Sequence, residues 1–404
     1  MEKNSVFRKD KKYIANTYNR YPMVVSHAKG KYVWDTAGKK YLDFFCGLSV
    51  TGFGHCHPAV VKAVRKQAGR FMHVSNLYYT SPQLELAGIL VKLSIGGKVF
   101  FSNSGAEANE CAVKAARKWG KHEKAGAHEI IIFKNSFHGR TIGTLSATGQ
   151  EKHKKEFTPL LQGFRQAEFN DINSVKKLIG KKTCAVLVEV VQGEGGVNVA
   201  RADFLEQLYK LSIKENILSI FDEVQTGFGR TGRVFAWQHF RVKPDIITMA
   251  KAAGGGLPMG ITVLGDKVKD TFETGEHGST FGANPVCVAA ALANAGLLNE
   301  NVLRNARDKG SYLKDRLEKL KFKYPGVIKD VRGLGLMLAA ELSVSEKIIK
   351  GRAFVCRCLE RGLLINCTQD CIIRLMPPLT ISKADADSAV KIMDGVFEKY
   401  GLRS

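Results

Sequence analysis

At 404 residues, 45% of them apolar, the chain is too long for one hydrophobic core and has ample material for a large and a small one. A net charge of +23 is spread through every segment, with no arginine-rich tail and no aromatic-interleaved basic patch, which argues against nucleic acid; such a field suits anionic ligands such as phosphates and dicarboxylates, and a lysine-rich coding bias accounts for it equally well. No run of about 18 apolar residues spans a membrane and the opening M-E-K-N-S-V-F-R-K-D-K-K lacks a signal peptide's apolar stretch, so a cytoplasmic protein with no membrane partner is expected.

Residues 1–28 have no strong period. The runs 31–34 and 40–45 flank D-T-A-G-K, a turn that predicts a hairpin, and 47–58 is a glycine-rich loop. Helices are predicted at 58–71 and 82–94. Strand and helix then alternate: strand 98–101, helix 106–119, strand 129–133, strand 184–191, helix 202–214, strands 217–221 and 246–249, with 261–264 as one more strand. That alternation predicts a doubly wound α/β layer. After residue 300 the pattern changes to helix 301–321, strands 327–332 and 336–341, helix 346–360, strand 372–375 and a last helix after Ser382. The expected organisation is an N-terminal segment (1–57) packing with the small domain, a large domain (58–300) and a small α+β domain (301–404), with the site in the cleft between them.

Nine cysteines, an odd number, predict free thiols in a reducing compartment. Cys356-x-Cys358 and the pair Cys367 and Cys371 lack zinc spacing. His55-Cys56-His57 reads as a turn before the helix at Pro58, so no metal is expected.

The first chemical signal comes from two strand ends. I-L-S-I-F at 217–221 is followed at once by Asp222, and I-I-T-M at 246–249 ends two residues before Lys251; each reads as a buried strand of a parallel sheet. Ligands bind beyond the carboxyl ends of such strands, so the acid and the lysine can meet in one crevice. Together they suit pyridoxal 5'-phosphate, whose aldehyde a lysine holds as a Schiff base and whose pyridine nitrogen an aspartate keeps protonated. Singly, Asp222 would start a turn and Lys251 would be a solvated lysine at a helix start.

Other stretches fall at strand ends too. In F-S-N-S-G-A-E-A-N-E (101–110) the small residues Ser104, Gly105 and Ala106 leave backbone N–H groups open to a phosphate at a helix start, while Ser104 and Glu107 also fit a capping box. N-S-F-H-G-R-T (135–141) offers Phe137 to stack on a ring and Arg140 to clamp a carboxylate, although singly such residues are usually core and surface. Q-G-E-G-G (192–196) brings Glu194 close to a ligand, and G-S-T-F-G-A-N-P (278–285) offers Ser279 and Thr280 in a loop before a helix. Phosphate-loop, nucleophile-elbow and H-E-x-x-H motifs are absent, and Gly333-x-Gly335 lacks the third glycine of a nicotinamide-binding fingerprint.

In order along the chain, T-Y-N-R-Y-P (17–22), G-H-C-H-P (54–58), S-N-L-Y-Y (75–79), N-S-G-A-E-A-N-E (103–110), F-H-G-R-T (137–141), V-Q-G-E-G-G (191–196), D-E-V-Q-T-G-F-G-R-T-G (222–232), A-K-A-A-G-G-G (250–256) and R-L-M-P-P-L (374–379) resemble the fold-type I, class III pyridoxal-phosphate aminotransferases, most closely the acetylornithine aminotransferases. The resemblance implies the fold-type I PLP-dependent transferase architecture, a large mostly parallel sheet plus a small α+β C-terminal domain. It implies that Lys251 is the Schiff-base lysine and proton shuttle, that Asp222 pairs with the pyridine nitrogen, and that Val224 packs on the ring opposite Phe137. Gln225 would reach the phenolic oxygen, Glu223 would belong to the same cofactor-binding run, and Gly105 and Ala106 would hold the phosphate with Thr280 from the partner of a homodimer. Ser279 would lie near the substrate, Arg140 would bind the substrate α-carboxylate, Arg374 the carboxylate of glutamate or 2-oxoglutarate, and Glu194 would pair with Arg374 when the ω-amino donor is bound.

Two departures stand out: Glu189-Val190-Val191 where the family has E-P-V, and Thr51 where it has asparagine, which leaves the acyl preference open. The implied reaction moves the terminal amine of N2-acetylornithine to 2-oxoglutarate in arginine biosynthesis. Ornithine, succinyl-diaminopimelate, 4-aminobutyrate, a semialdehyde aminomutase and a non-catalytic PLP-binding regulator are the alternatives. Arg140 argues against 4-aminobutyrate, and the absence of a tyrosine at 47–51 argues against unacylated ornithine.

Overall fold

The computed structural model describes residues 3–345 and 348–400. Its main layer is a seven-stranded sheet of β1 (Lys98–Ser102), β2 (Glu129–Phe133), β3 (Phe164–Ala167), β4 (Thr183–Val188), β5 (Leu218–Asp222), β6 (Ile246–Met249) and β7 (Gly260–Leu264), in the spatial order β1-β7-β6-β5-β4-β2-β3. Pairs β3–β2, β2–β4, β4–β5 and β5–β6 are parallel, and β7 runs antiparallel to both its neighbours. β4, β5, β6 and β7 are buried along their whole length, as the unbroken apolar runs require when helices cover both faces.

The helix Gly105–Glu123 lies against this sheet. Its buried stripe of Ala108, Cys111, Ala112, Ala115, Ala116 and Trp119 follows a 3.6-residue period, and the alanines let the backbone come close. Because β4, β5 and β6 point the same way, Glu189, Asp222 and Lys251 all fall at one edge of the sheet.

A second sheet is antiparallel throughout: β8 (Ile328–Leu334), β9 (Met337–Leu342), β10 (Asn366–Thr368) and β11 (Ile372–Leu375), ordered β8-β9-β11-β10. Its core of Leu313, Leu338, Phe354, Ile373 and Phe397 also takes in Leu42, Phe44 and Phe53 from the N-terminal region, where Leu363 pairs in parallel with Leu42. Among the described residues no single helix is long and apolar enough to cross a membrane.

Some boundaries differ from the sequence reading. The strand expected over 184–191 stops at Val188, and Val191–Gln192 instead pairs with Asn198–Val199. The break comes at Glu189, whose carboxylate accepts the N–H groups of Phe137 (2.8 Å) and Gly193 (3.2 Å) and turns the chain out of the sheet. The helix expected from 346 starts at Gly351; residues 346 and 347 lie outside the described residues. Lys3–Tyr13 is helical although no period announces it, for it buries none of its residues.

Candidate active site

Beyond the carboxyl ends of β4, β5 and β6 lies a cleft of about 570 Å³, walled by Asp222, Lys251, Gly105, Ala106, Phe137, Arg140, Glu194, Val224 and Gln225. Its size suits a small cofactor with substrate. Nine of the thirteen residues singled out from sequence form its wall directly.

Asp222 is fixed from three sides. Its Oδ2 accepts from Asn109 Nδ2 (2.8 Å) and lies 2.8 Å from His138 Nδ1, and its Oδ1 accepts the N–H of Val224 (3.0 Å). Asn109 is itself oriented, because Thr248 Oγ1 donates to its Oδ1 (2.7 Å) and its Nδ2 also reaches the His138 carbonyl (2.8 Å). His138 Nε2 is buried with no partner among the described residues. An aspartate held this way cannot rotate, and it presents one fixed negative charge to the cleft.

Lys251 follows β6 with a left-handed backbone (φ 47°), a conformation that costs a non-glycine residue about 1–2 kcal/mol. Burial pushes its ammonium below the ordinary value, partly countered by the negative charges of Glu194 and Asp222. A depressed lysine near carboxylates is what nucleophilic and proton-transfer chemistry needs.

The anion-binding corner is the start of helix Gly105–Glu123. Ser104 Oγ accepts the Glu107 N–H (3.2 Å) while the Glu107 carboxylate reaches back to the Asn103 N–H (2.9 Å), so the end is capped yet its first amides stay open. A Cβ on Gly105 would lie 2.8 Å from Val224 Cγ1, so the residue must be glycine for the helix start and the β5 turn to approach.

At the other end Arg374, buried in β11, donates to Glu194 Oε1 (2.6 Å), to the Gly193 carbonyl (3.1 Å) and to Asn366 Oδ1 (2.7 Å). Burial would raise the Glu194 carboxyl, but the Arg374 charge and hydrogen bond hold it below the usual range. Both amide atoms of Gln225 are buried without a hydrogen-bond partner. Arg140 is exposed, stacked 5.3 Å from the Phe137 ring centre, and makes no ion pair among the described residues. Thr51 Oγ1 is likewise buried and unbonded.

Three of the residues singled out stand elsewhere. The Glu223 carboxylate points away and accepts from Thr226, Ala236 N–H (3.0 Å) and Trp237 N–H (2.9 Å), and burial pushes it up to about 7. Ser279 Oγ is used up between Asn103 Nδ2 (3.1 Å) and the Gly282 N–H (2.9 Å), and Thr280 is exposed outside this cleft. Sequence reasoning missed Glu189 as a site residue; burial and the neighbouring Asp222 charge push it well above the ordinary carboxyl range. The same rule that found Asp222, an acid at the end of an apolar run, would have found it.

The aminotransferase class-III family model matches residues 13–397. The chain is 48% identical over 390 residues to an acetylornithine aminotransferase of Methanocaldococcus jannaschii, covering 96% of each, and 44% identical over 395 residues to one of Caldanaerobacter subterraneus subsp. tengcongensis, covering 96% and 98%. Among solved structures it superposes on the ornithine aminotransferase of Toxoplasma gondii (TM-score 0.94, 32% identity, 99% and 96% covered) and on the acetylornithine aminotransferase of Elizabethkingia anophelis (TM-score 0.88, 34%, 99% and 100%). The chain belongs to the class-III aminotransferases, with the fold-type I architecture.

Proposed function

We propose that this chain moves the terminal amine of N2-acetylornithine to 2-oxoglutarate in the cytoplasm, giving N-acetylglutamate 5-semialdehyde and glutamate for arginine biosynthesis. The observation that carries it is the Arg374–Glu194 pair (2.6 Å), whose acid lines the same cleft as Lys251 and Asp222.

The cleft fits pyridoxal 5'-phosphate on its own chemistry. Gln225 has two buried, unsatisfied polar atoms facing it, the helix start at Gly105 is open, and the lysine is depressed by burial. Asp222 would hold the pyridine nitrogen, Gly105 and Ala106 the phosphate, Phe137 and Val224 the ring faces, Gln225 the phenolic oxygen and Lys251 the aldehyde carbon. When bound there, the cofactor supplies an electron sink for the carbon that bears the amine. Lys251 Nζ, whose proton affinity burial lowers, would take the proton from that carbon. Arg140 binds the α-carboxylate that N2-acetylornithine keeps when its terminal amine reacts. Glu194 neutralises Arg374 for that substrate and yields it to the α-carboxylate of glutamate, so one pocket serves two substrates held by different ends.

The division into domains 58–300 and 301–404, with 1–57 joined to the smaller, is part of this reading, supported by Leu42, Phe44 and Phe53 in the smaller core. So is a homodimer with shared sites. Thr280 is free to serve the partner's phosphate, and beside it Asn76 ties Ser279 and Gly282 to the exposed Leu77, Tyr78, Tyr79 and Phe281, apolar surface that a second copy would cover.

The test is the absorbance spectrum of the protein incubated with pyridoxal phosphate. N-acetylornithine should bleach the visible band and 2-oxoglutarate restore it, with ornithine and 4-aminobutyrate weaker. No visible band would overturn the reading, and preference for ornithine would replace the substrate.

A further inference from the structure

The segment 193–196, which carries Glu194, has all four of its carbonyls tied to side chains of the second sheet and its β10–β11 turn. Gly193 O accepts from Arg374 Nη1 (3.1 Å), Glu194 O from Thr368 Oγ1 (3.2 Å), Gly195 O from Gln369 Nε2 (2.9 Å) as well as from Asn198 Nδ2 (2.9 Å) in the neighbouring strand, and Gly196 O from Arg332 Nε (3.0 Å). On the opposite side the Gly193 N–H is held by Glu189 Oε2. A loop of three glycines around one acid would otherwise be among the most pliable stretches of the chain. Here its backbone is gripped residue by residue, while the Glu194 side chain keeps a single strong partner, Arg374.

One member of this grip sits where a glutamine is costly. Gln369 (φ 53°) and Asp370 (φ 58°) form the turn between β10 and β11 in the left-handed region, where glycine or asparagine is the ordinary choice. Aspartate tolerates that conformation; glutamine gains nothing locally from it. Its side chain instead reaches across to the buried Gly195 carbonyl, which no asparagine at this position could reach with the same backbone.

We propose that Thr368 and Gln369 are positioning residues that hold the 193–196 main chain, so that the exchange at Arg374 is carried by the Glu194 side chain alone and the loop returns Glu194 to Arg374 after each glutamate leaves. This rests on the switch reading given above. A loosened loop pairs Glu194 with Arg374 less well, so Arg374 is more often free. Glutamate and 2-oxoglutarate then bind as well or better, while the acylated substrate, which requires a neutralised Arg374, binds worse.

The experiment uses the cofactor-loaded full chain as Thr368→Val, Gln369→Asn, the double variant and Glu194→Ala. Each half-reaction is followed separately in single turnovers, 2-oxoglutarate affinity is measured by calorimetry, and thermal midpoints are recorded. Loss of one or two neutral hydrogen bonds predicts a shift of about three- to tenfold in the ratio of apparent KM for N-acetylornithine to that for glutamate, toward glutamate, in the double variant. Gln369→Asn should melt no lower than the parent, because asparagine suits the turn better. If Glu194→Ala moves the ratio and the double variant does not, the inference falls and the switch stands. If Glu194→Ala leaves the ratio unmoved, the switch reading fails and the inference with it. A uniform loss in both half-reactions together with a lower midpoint would mark Thr368 and Gln369 as structural only, and would also overturn it.

Discussion

The floor of the cleft and its mouth are built on opposite plans. At the floor, Asp222 is held by fixed neighbours: Asn109, His138 and the Val224 N–H all converge on it within one sheet-and-helix layer. At the mouth, Arg374 comes from β11 and Glu194 from the 193–196 loop, and in the function proposed above Arg374 exchanges Glu194 for a substrate carboxylate. A fixed floor suits a resident cofactor and an exchangeable mouth suits two substrates in turn. The difference lies in whether a charge is held by several fixed neighbours or by one partner that can be exchanged.

The largest effect should come from removing Lys251, the floor group proposed above to carry the proton. Lys251→Ala is expected to cost at least about a thousandfold in turnover, within the range for a positioned acid–base group, read from steady-state rates with the folded fraction checked by circular dichroism. A smaller loss than that of Arg374→Ala would break the comparison, since the mouth would then be doing the chemistry.

Next comes the saturated aspartate. Asp222→Ala leaves Asn109 Nδ2 and His138 Nδ1 buried with lost acceptors, so the protein without cofactor should lose about 1–3 kcal/mol for each in urea unfolding. Glu194→Ala should lose less. Its side chain is 25% exposed, and Arg374 keeps Asn366 and the Gly193 carbonyl.

Gly105→Ala tests the close approach at the floor. Its Cβ would meet Val224 Cγ1 at 2.8 Å, and overpacking of this kind costs about 1–3 kcal/mol. Cofactor affinity, titrated by the visible band, should fall several-fold while the N-acetylornithine to glutamate preference stays put. A change in preference would mean that floor and mouth are not separable.

The two plans also explain what could be read from sequence. Asp222, Lys251 and Gly105 each follow an apolar run at a strand end, so a local pattern plus the parallel-sheet rule places them at one edge. Asn109 lies four residues into the buried stripe of its helix, where a polar residue among alanines is a signal, but its target 113 positions away has no local trace. Arg374 and Glu194 are 180 residues apart, one on a strand of the second sheet and the other in a glycine-rich loop, so only the family resemblance joined them. Glu223 sits beside Asp222 in sequence, yet successive strand-end residues face opposite ways, and its carboxylate caps the Ala236–His239 turn instead.

The smallest effect sharpens the mouth. The Glu194 carboxyl lies below its unfolded value in the folded chain, because Arg374 outweighs the cost of burial. A group depressed in this way adds stability that is present above its unfolded pKa and disappears as pH falls through the folded one. Glu194→Gln removes that contribution at every pH. The thermal midpoint of the parent should therefore exceed that of Glu194→Gln at neutral pH by what a partly exposed pair contributes, on the order of 1 kcal/mol or less. The gap should start to close as pH drops through the ordinary glutamate range and vanish below it. A gap that stays constant with pH would mean that Arg374 does not hold the Glu194 proton off, and the mouth would then resemble the floor, a group kept in place by several fixed neighbours rather than one lent between partners.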